Sequence, residues 1–127
     1  MKYLLLVCRD EKSLNAMPPG EWNALVRETN AYLDTLRKSG HYVASEALES
    51  VETATTVQIR NGKLSTTDGP FAETKEQIGG FILVEAPNLD DAIRIAAEFP
   101  PARHGKVEVR PVRDFTARSS TLPRSEG

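Results

Sequence analysis

The sequence predicts an α+β domain of the ferredoxin-like type, with the element order βαββαβ and an added β-hairpin. Residues 3–8 and 81–84 are apolar at every position, which is typical of central strands that are buried on both faces. Two stretches with helical apolar spacing lie between the predicted strands. The length of 127 residues, with 39% apolar and 27% charged residues, fits one globular domain, which we place at residues 1–113.

The first helix is predicted to begin at Glu21 and to end at Gly40, a left-handed cap. Residues 9–15 are predicted to form a polar loop before it. The second helix follows Asn88, a good capping residue, and stops at the Pro100-Pro101 pair. The apolar stripe of the first helix is formed by Trp22, Leu25, Val26, Leu33 and Leu36.

Four further strands are predicted, two of them within the hairpin insertion. Residues 55–60 and 63–67 flank Asn61-Gly62, a pair that tolerates positive φ at both turn positions and so predicts a β-hairpin. Residues 42–48 and 106–112 form the outer strands of the main sheet. In the ferredoxin-like order the first and third core strands, residues 3–8 and 81–84, lie in the centre.

The apolar surface of the predicted sheet exceeds what its helices can cover. Two helices cover one face, but both central strands are apolar on both faces. A second copy of the sheet would cover the remaining face in a two-fold dimer, so we expect a homodimer that forms a dimeric α+β barrel. The alternative is that the hairpin folds back over that face.

Composition and charge exclude several functional classes. The net charge of −2 provides no basic footprint for direct nucleic-acid binding. The apolar run at residues 3–8 is too short for a signal peptide or a membrane span. Cys8 has no disulfide partner, and His41 and His104 belong to no metal-ligand pattern, so we predict no cofactor and no metal. We expect a cytoplasmic protein with a disordered tail at residues 114–127.

A loop with strongly constrained residues begins at Asp68. Gly69 permits unusual dihedral angles, Pro70 fixes φ, and Phe71 is expected to anchor the loop in the core. Asp68 has two interpretations that the residues leave open. Its carboxylate either caps the turn by accepting hydrogen bonds from amides downstream, or faces a ligand as an acid or base.

The charged run that follows is either a solvated surface or the mouth of a pocket. On a helical turn Glu73 and Glu76 would share one side, with Lys75 on another. We take Glu73 and Lys75 as candidate ligand-binding residues. Gly79-Gly80, at the start of a central strand, indicates a bulge or the close approach of a helix, a partner or a ligand.

The last strand provides a second candidate polar site. Glu108 and Arg110 are two residues apart and therefore share a face, while Val107 and Val109 take the other face towards the helices. The two charged residues are candidates for binding a ligand, and an interfacial salt bridge is the alternative. Tyr32 lies beside the buried stripe of the first helix, as a packing residue or a ligand contact.

The combination of Asp68-Gly69-Pro70-Phe71, Gly79-Gly80 and the run from Glu108 to Pro111 resembles the DGPF-domain branch of the YCII-related proteins, over residues 1 to 113. The resemblance implies a bacterial, cytoplasmic dimer of ferredoxin-like subunits. The biochemical role of this family is largely undetermined.

Smaller relatives in that family carry a histidine on the first helix and an aspartate after the second, proposed as an active site. Here Tyr32 falls near the histidine position, and Pro100-Pro101 takes the place of an aspartate-bearing loop. The resemblance therefore leaves Asp68 as the leading catalytic candidate.

Two functions follow from these predictions. The first is a dimer that binds a small polar molecule between the uncovered sheet face and residues 68–76. If this dimer is an enzyme, Asp68 is its acid or base. The second rests on the association of some DGPF proteins with extracytoplasmic-function sigma factors. It is a regulatory module whose hairpin, around Asn61-Gly62, contacts a sigma factor.

Overall fold

The computed structural model describes residues 1–115, which form nine helices and strands and two short 3₁₀ turns. The strands are β1 (Lys2–Arg9), β2 (Tyr42–Ala47), β3 (Thr55–Arg60), β4 (Lys63–Asp68), β5 (Gln77–Glu85) and β6 (Gly105–Pro111). The helices are α1 (Glu11–Asn15), α2 (Pro19–Lys38) and α3 (Leu89–Glu98), and the 3₁₀ turns are Val51–Thr53 and Pro100–His104.

Four strands form one antiparallel sheet in the order β2-β5-β1-β6, and β3 and β4 form a separate hairpin. The fold is therefore α+β, and the two most apolar strands lie in the centre, as predicted. Their alternate residues face the helices, and Leu5, Ile82 and Val84 are completely or almost completely buried there. Burial of these side chains is the main source of stability for a domain of this size.

Helix α3 begins and helix α2 ends at the residues that the sequence predicted as caps. Asn88 caps α3 by accepting a hydrogen bond from the Asp91 amide at 2.9 Å. Gly40, with φ of +83°, follows the end of α2 in the predicted left-handed conformation.

Two local predictions were wrong. Helix α2 begins at Pro19, before the predicted Glu21, because proline is favoured in the first turn, where its missing N–H would have had no partner. The predicted loop at residues 9–15 contains the short helix α1. Asp10 caps it by accepting a hydrogen bond from the Lys12 amide at 3.1 Å.

The hairpin is confirmed, and its apolar face is exposed. Asn61 and Gly62 have φ of 54° and 77°, as the predicted tight turn requires. Val57, Ile59 and Leu64 share one face of the hairpin and are 59%, 71% and 67% exposed. These side chains are therefore not buried against the main sheet, and they do not support the alternative in which the hairpin covers its uncovered face.

The sheet face turned away from the helices, which we call the open face, is apolar in its centre. Its central residues are the cross-strand pairs Leu6–Phe81 and Leu4–Leu83, and all four side chains are only partly buried. No helix within residues 1–115 is both long and apolar enough to cross a membrane. Most of the tail predicted to be disordered, residues 116–127, lies outside the described residues.

Candidate functional site

A cavity of about 410 Å³ lies between α2 and the β2–β5 side of the sheet, which we call the α2 cavity. Its volume falls within the range of roughly 300–1,000 Å³ that is typical of small-molecule sites. Both layers supply apolar walls. These are formed by Val7, Leu25, Leu33, Ile82 and Phe99.

The cavity exists because the sheet presents small residues beneath α2. Ser45 and Ala47 of β2 and Gly80 of β5 line it. A Cβ atom at Gly80 would lie 2.9 Å from the backbone oxygen of Glu46, so this position has no room for a larger residue. The small side chains leave space that α2 does not fill.

The sequence indicated either a bulge or a close approach by a helix, a partner or a ligand at the glycine pair, and the structure shows a bulge and a close approach by a different group. Pairing between β1 and β5 passes from Val7–Gly80 to Cys8–Ile78, so Gly79 is the extra residue of a bulge. A Cβ atom at Gly79 would lie 2.7 Å from Nε of Arg9. The object that approaches Gly79 is thus the Arg9 side chain.

Arg9 brings a positive charge to the cavity lining without an ion-pair partner in the described chain. Within residues 1–115, no carboxylate oxygen lies within 4.0 Å of its guanidinium. Glu11 instead accepts hydrogen bonds from Ser50 Oγ and the Val51 amide, both at 2.9 Å. Burial lowers the pKa of Arg9 from its ordinary value, and the charge of Glu11 opposes that shift.

The other arginine of the cavity lining is already paired. Arg37 donates to Asp34 at 2.7 Å and lies 4.4 Å above the centre of the Tyr42 ring. The Tyr42 hydroxyl is hydrogen-bonded to Ser45 Oγ at 2.9 Å. These groups line the cavity, so its wall carries hydroxyls beside a neutralised cation.

Apolar side chains of α2 remain exposed where the cavity meets solvent. Trp22 and Val26 line the cavity and are 38% and 39% exposed. Trp22 is the one tryptophan of the sequence. A bound molecule would cover this surface, and the indole would report on it.

The six site residues predicted from the sequence all lie outside the lining of the α2 cavity. Asp68 is the exposed last residue of β4, and its carboxylate accepts no hydrogen bond from the described residues, so its predicted role as a turn cap is wrong. Gly69 holds the turn instead, with φ of +100°. Its amide donates to the Ala54 carbonyl at 2.7 Å, and its own carbonyl accepts from Thr56 Oγ1 at 2.8 Å.

The segment after Asp68 contains no helical turn, so the predicted shared side of Glu73 and Glu76 has no structural basis. Glu73 and Lys75 are exposed, and Phe71, which was expected to anchor the loop, is 91% exposed. Glu76 lies apart from them and pairs with Lys106 at 3.1 Å.

The residues of β6 follow the predicted alternation. Val107 and Val109 pack against the core under the helices, while Glu108 and Arg110 are exposed on the side of the open face. Their closest charged atoms are 3.7 Å apart, so they pair with each other. Solvent-exposed pairs of this kind contribute little to stability.

Cys8 lies near this charged cluster on the open face. Burial raises the pKa of its thiol, with further contributions from Glu108 and Glu76. A raised pKa disfavours the reactive thiolate, in agreement with a packing role. Within residues 1–115, His, Cys, Asp and Glu form no cluster of three or more that could hold a metal ion.

Tyr32 serves the packing of the two long helices. Its hydroxyl donates to the Ile95 carbonyl of α3 at 2.7 Å, and its ring lies 6.2 Å from that of Phe99. Burial, followed by the charge of Glu98, raises the pKa of Tyr32 to about 12. This geometry gives the residue a structural role, and Tyr32 lies outside the lining of the α2 cavity.

Sequence reasoning missed Arg9, Trp22 and the small-residue wall. The available signals were the small residues Ser45 and Ala47 on a predicted strand and a tryptophan in the helical stripe. Within residues 1–115 Arg9 has no acidic partner, and that absence arises only on folding and has no sequence signal.

Replacement of Tyr32 by Phe tests its structural role. The raised pKa means that the folded state keeps a proton that the unfolded chain loses near pH 10. The stabilisation is therefore complete below pH 10 and declines as the pH rises towards about 12. We expect Tyr32→Phe to lower the free energy of unfolding at pH 7 by about 1 kcal/mol, and to lose part of the decline above pH 10. Urea unfolding at both pH values measures this, and an unchanged free energy at pH 7 would contradict the role.

Comparison with known proteins supplies the family. Residues 1–116 match the profile of the YCII-related domain. The chain is also 32% identical over 114 residues to an uncharacterized protein of Rhizobium meliloti (strain 1021), an alignment that covers 88% of this chain and 92% of that protein. Because the match covers every described residue, the chain belongs to the YCII-related family.

Proposed function

We propose that the protein binds a small molecule in the α2 cavity. The observation that carries the proposal is a cavity of about 410 Å³ whose walls are mainly apolar. Its polar lining residues are Arg9, Thr29, Asn30, Arg37, Tyr42, Ser45 and Glu46. Ligand sites typically combine such walls with a small number of orienting polar groups. The cavity volume and its lining support binding and assign no reaction.

This location differs from the pocket that the sequence suggested beside residues 68–76. Asp68, Glu73 and Lys75 belong to the hairpin and its following loop, whereas the α2 cavity lies under the helix. A role for Asp68 in proton transfer rests on the sequence alone. We therefore base the proposed function on the cavity and not on that loop.

Filling the cavity provides the test. In Ala47→Leu the larger side chain would occupy space beside Ser45 and Gly80, so a compound that stabilises the wild type in a thermal-shift screen should lose most of its effect. Val43→Leu, an exposed residue of β2 outside the cavity lining, is the matched control and should respond as the wild type does. Stabilisation that survives unchanged in Ala47→Leu would place the ligand elsewhere.

We also propose that two copies associate through their open faces as a dimeric α+β barrel. Leu4, Leu6, Phe81 and Leu83 form a continuous partly exposed apolar surface, and exposed surfaces of this kind commonly mark protein interfaces. A two-fold axis would bring the same surface of each copy together.

Sedimentation equilibrium at micromolar concentration tests the association. The wild type should sediment as a dimer, and Leu6→Lys should shift it to the monomer, because it places a charge in the centre of the interface. Ile93→Lys, a change at an exposed apolar residue of α3, should leave the dimer intact. A folded wild-type monomer under these conditions would refute this arrangement.

A second candidate function is supported by the exposed hairpin. Val57, Ile59 and Leu64 present an apolar face, and such a face is suited to a protein contact. The resemblance to DGPF proteins suggests an extracytoplasmic-function sigma factor as the partner. In this function the protein would be a regulatory module and not a ligand-binding protein.

A pull-down with such a sigma factor from the same organism tests this second function. The wild type should retain the sigma factor, and the double variant Ile59→Lys/Leu64→Lys should lose it, because both changes place charge on the contact face. Lys63→Ala, on the opposite hairpin face, is the control. Failure of the wild type to retain the sigma factor would exclude this partner.

A further inference from the structure

We infer that Arg9 binds the anionic group of the ligand, so that the α2 cavity accepts an organic anion with a hydrophobic body. This inference rests on the proposed function of the cavity and specifies the chemical class of its ligand. It is carried by the contrast between Arg9 and the paired arginines of the same chain, by the glycine beneath Arg9, and by the apolar mouth.

Within the described part of the chain, Arg9 lacks the carboxylate partner that several other arginines have. Among residues 1–115, four arginines have a carboxylate within 4.0 Å, and Arg9 is not one of them. The paired residues are Arg37 with Asp34, Arg94 with Asp91, Arg103 with Glu28 and Arg110 with Glu108. Arg9 is partly buried, and partial burial of a cation that lacks a counter-ion is unfavourable. An anion brought by a ligand would remove that penalty.

The second observation concerns position. Arg9 follows Val7 by two residues on β1 and therefore shares its face, the face that is covered by the helices. Both residues line the cavity. Since a Cβ atom at position 79 would collide with Arg9 Nε, the glycine there is what allows the guanidinium to lie against the strand. The chain thus provides a specific place for this side chain.

The third observation concerns the rest of the lining. Leu25 and Phe99 are buried walls, and Trp22 and Val26 are partly exposed at the mouth. Covering such surface would favour a ligand with an aromatic or aliphatic body. Glu46, the acidic residue of the lining, is exposed, and strand alternation directs it away from the face of Ser45.

The chemistry of the guanidinium specifies the anion further. Its planar set of N–H donors matches two oxygens of one acidic group, and charge-assisted hydrogen bonds of this type are stronger than neutral ones. A carboxylate, a sulfonate and a phosphate monoester share that arrangement. The hydroxyls of Tyr42 and Ser45 remain available to a polar substituent elsewhere on the ligand.

Two fluorescent probes that differ in one group provide the test. 8-Anilinonaphthalene-1-sulfonate carries an acidic group, and N-phenyl-1-naphthylamine has the same aromatic body without it. Both are titrated into the wild type, and the binding that is lost in Ala47→Leu is assigned to the cavity. Arg9→Met keeps the apolar stem and removes the charge. Arg27→Met removes the same charge from an exposed site outside the lining.

We expect Arg9→Met to weaken sulfonate binding in the cavity by about tenfold or more, with the neutral probe changed by less than about twofold. Arg27→Met should change neither probe beyond about twofold. Gly79→Ala retains the charge but displaces the guanidinium, so it should weaken the sulfonate selectively as well. This second variant keeps the test decisive if Arg9→Met does not fold.

The failures are distinguishable. If both probes bind in the cavity and Arg9→Met weakens neither, or both equally, the role of Arg9 is refuted and the binding function stands. If neither probe shows binding that depends on position 47, the proposed binding site is refuted and the role of Arg9 falls with it.

Discussion

The arrangement of this protein depends on how α2 is held over the sheet. Helix α2 has twenty residues, and of these only the side chains of Leu25 and Leu36 are buried. Its opposite flank is tied to α3 and the following turn. Tyr32 is bonded to the Ile95 carbonyl at 2.7 Å, and Glu28 pairs with Arg103 at 3.1 Å. Loss of the partly buried hydrogen bond is expected to cost more than loss of the exposed ion pair, which contributes little to stability. These two contacts link α2 to α3 and to the 3₁₀ turn Pro100–His104.

The small residues of the sheet leave an unfilled space under α2. Larger side chains at Ser45 and Ala47 would fill the gap under α2, and Gly80 has no room for one because the Glu46 carbonyl lies against it. The cavity opens to solvent beside Trp22 and Val26, and its volume is what led us to propose a bound ligand. The cavity lies between α2 and the sheet, on the side opposite the open face through which we propose that the dimer forms.

Sequence patterns predicted the elements of the fold well where the determinant was local. Asn61-Gly62 and Asn88 act through their own backbone and immediate neighbours, so the hairpin and the start of α3 could be read directly. The apolar strands residues 3–8 and 81–84 could be placed centrally because burial on both faces demands it. The predictions failed at Pro19 and Asp10, because proline and aspartate suit both a loop and the first positions of a helix.

The candidate site was less predictable than the fold. Asp68 and Phe71 have distinctive local sequence, but distinctive sequence there serves a turn held by Gly69, and both side chains are exposed. The proposed role of Arg9 depends on its lack of a carboxylate partner within residues 1–115. Arg9 lacks this partner because Glu11 bonds to Ser50 and Val51 after folding. Tyr32 could be assigned to the flank of a helix, but its acceptor, Ile95, lies 63 residues away in the chain.

Methyl-resolved NMR with 8-anilinonaphthalene-1-sulfonate distinguishes binding in the α2 cavity from binding on the open face, because different leucines line the two sites. Binding in the cavity should shift the methyl resonances of Leu25 and Leu33 and leave those of Leu4, Leu6 and Leu83 on the open face nearly unchanged. Shifts confined to the open-face leucines or to Ile59 of the hairpin would contradict it, because the molecule would then bind away from the space under α2.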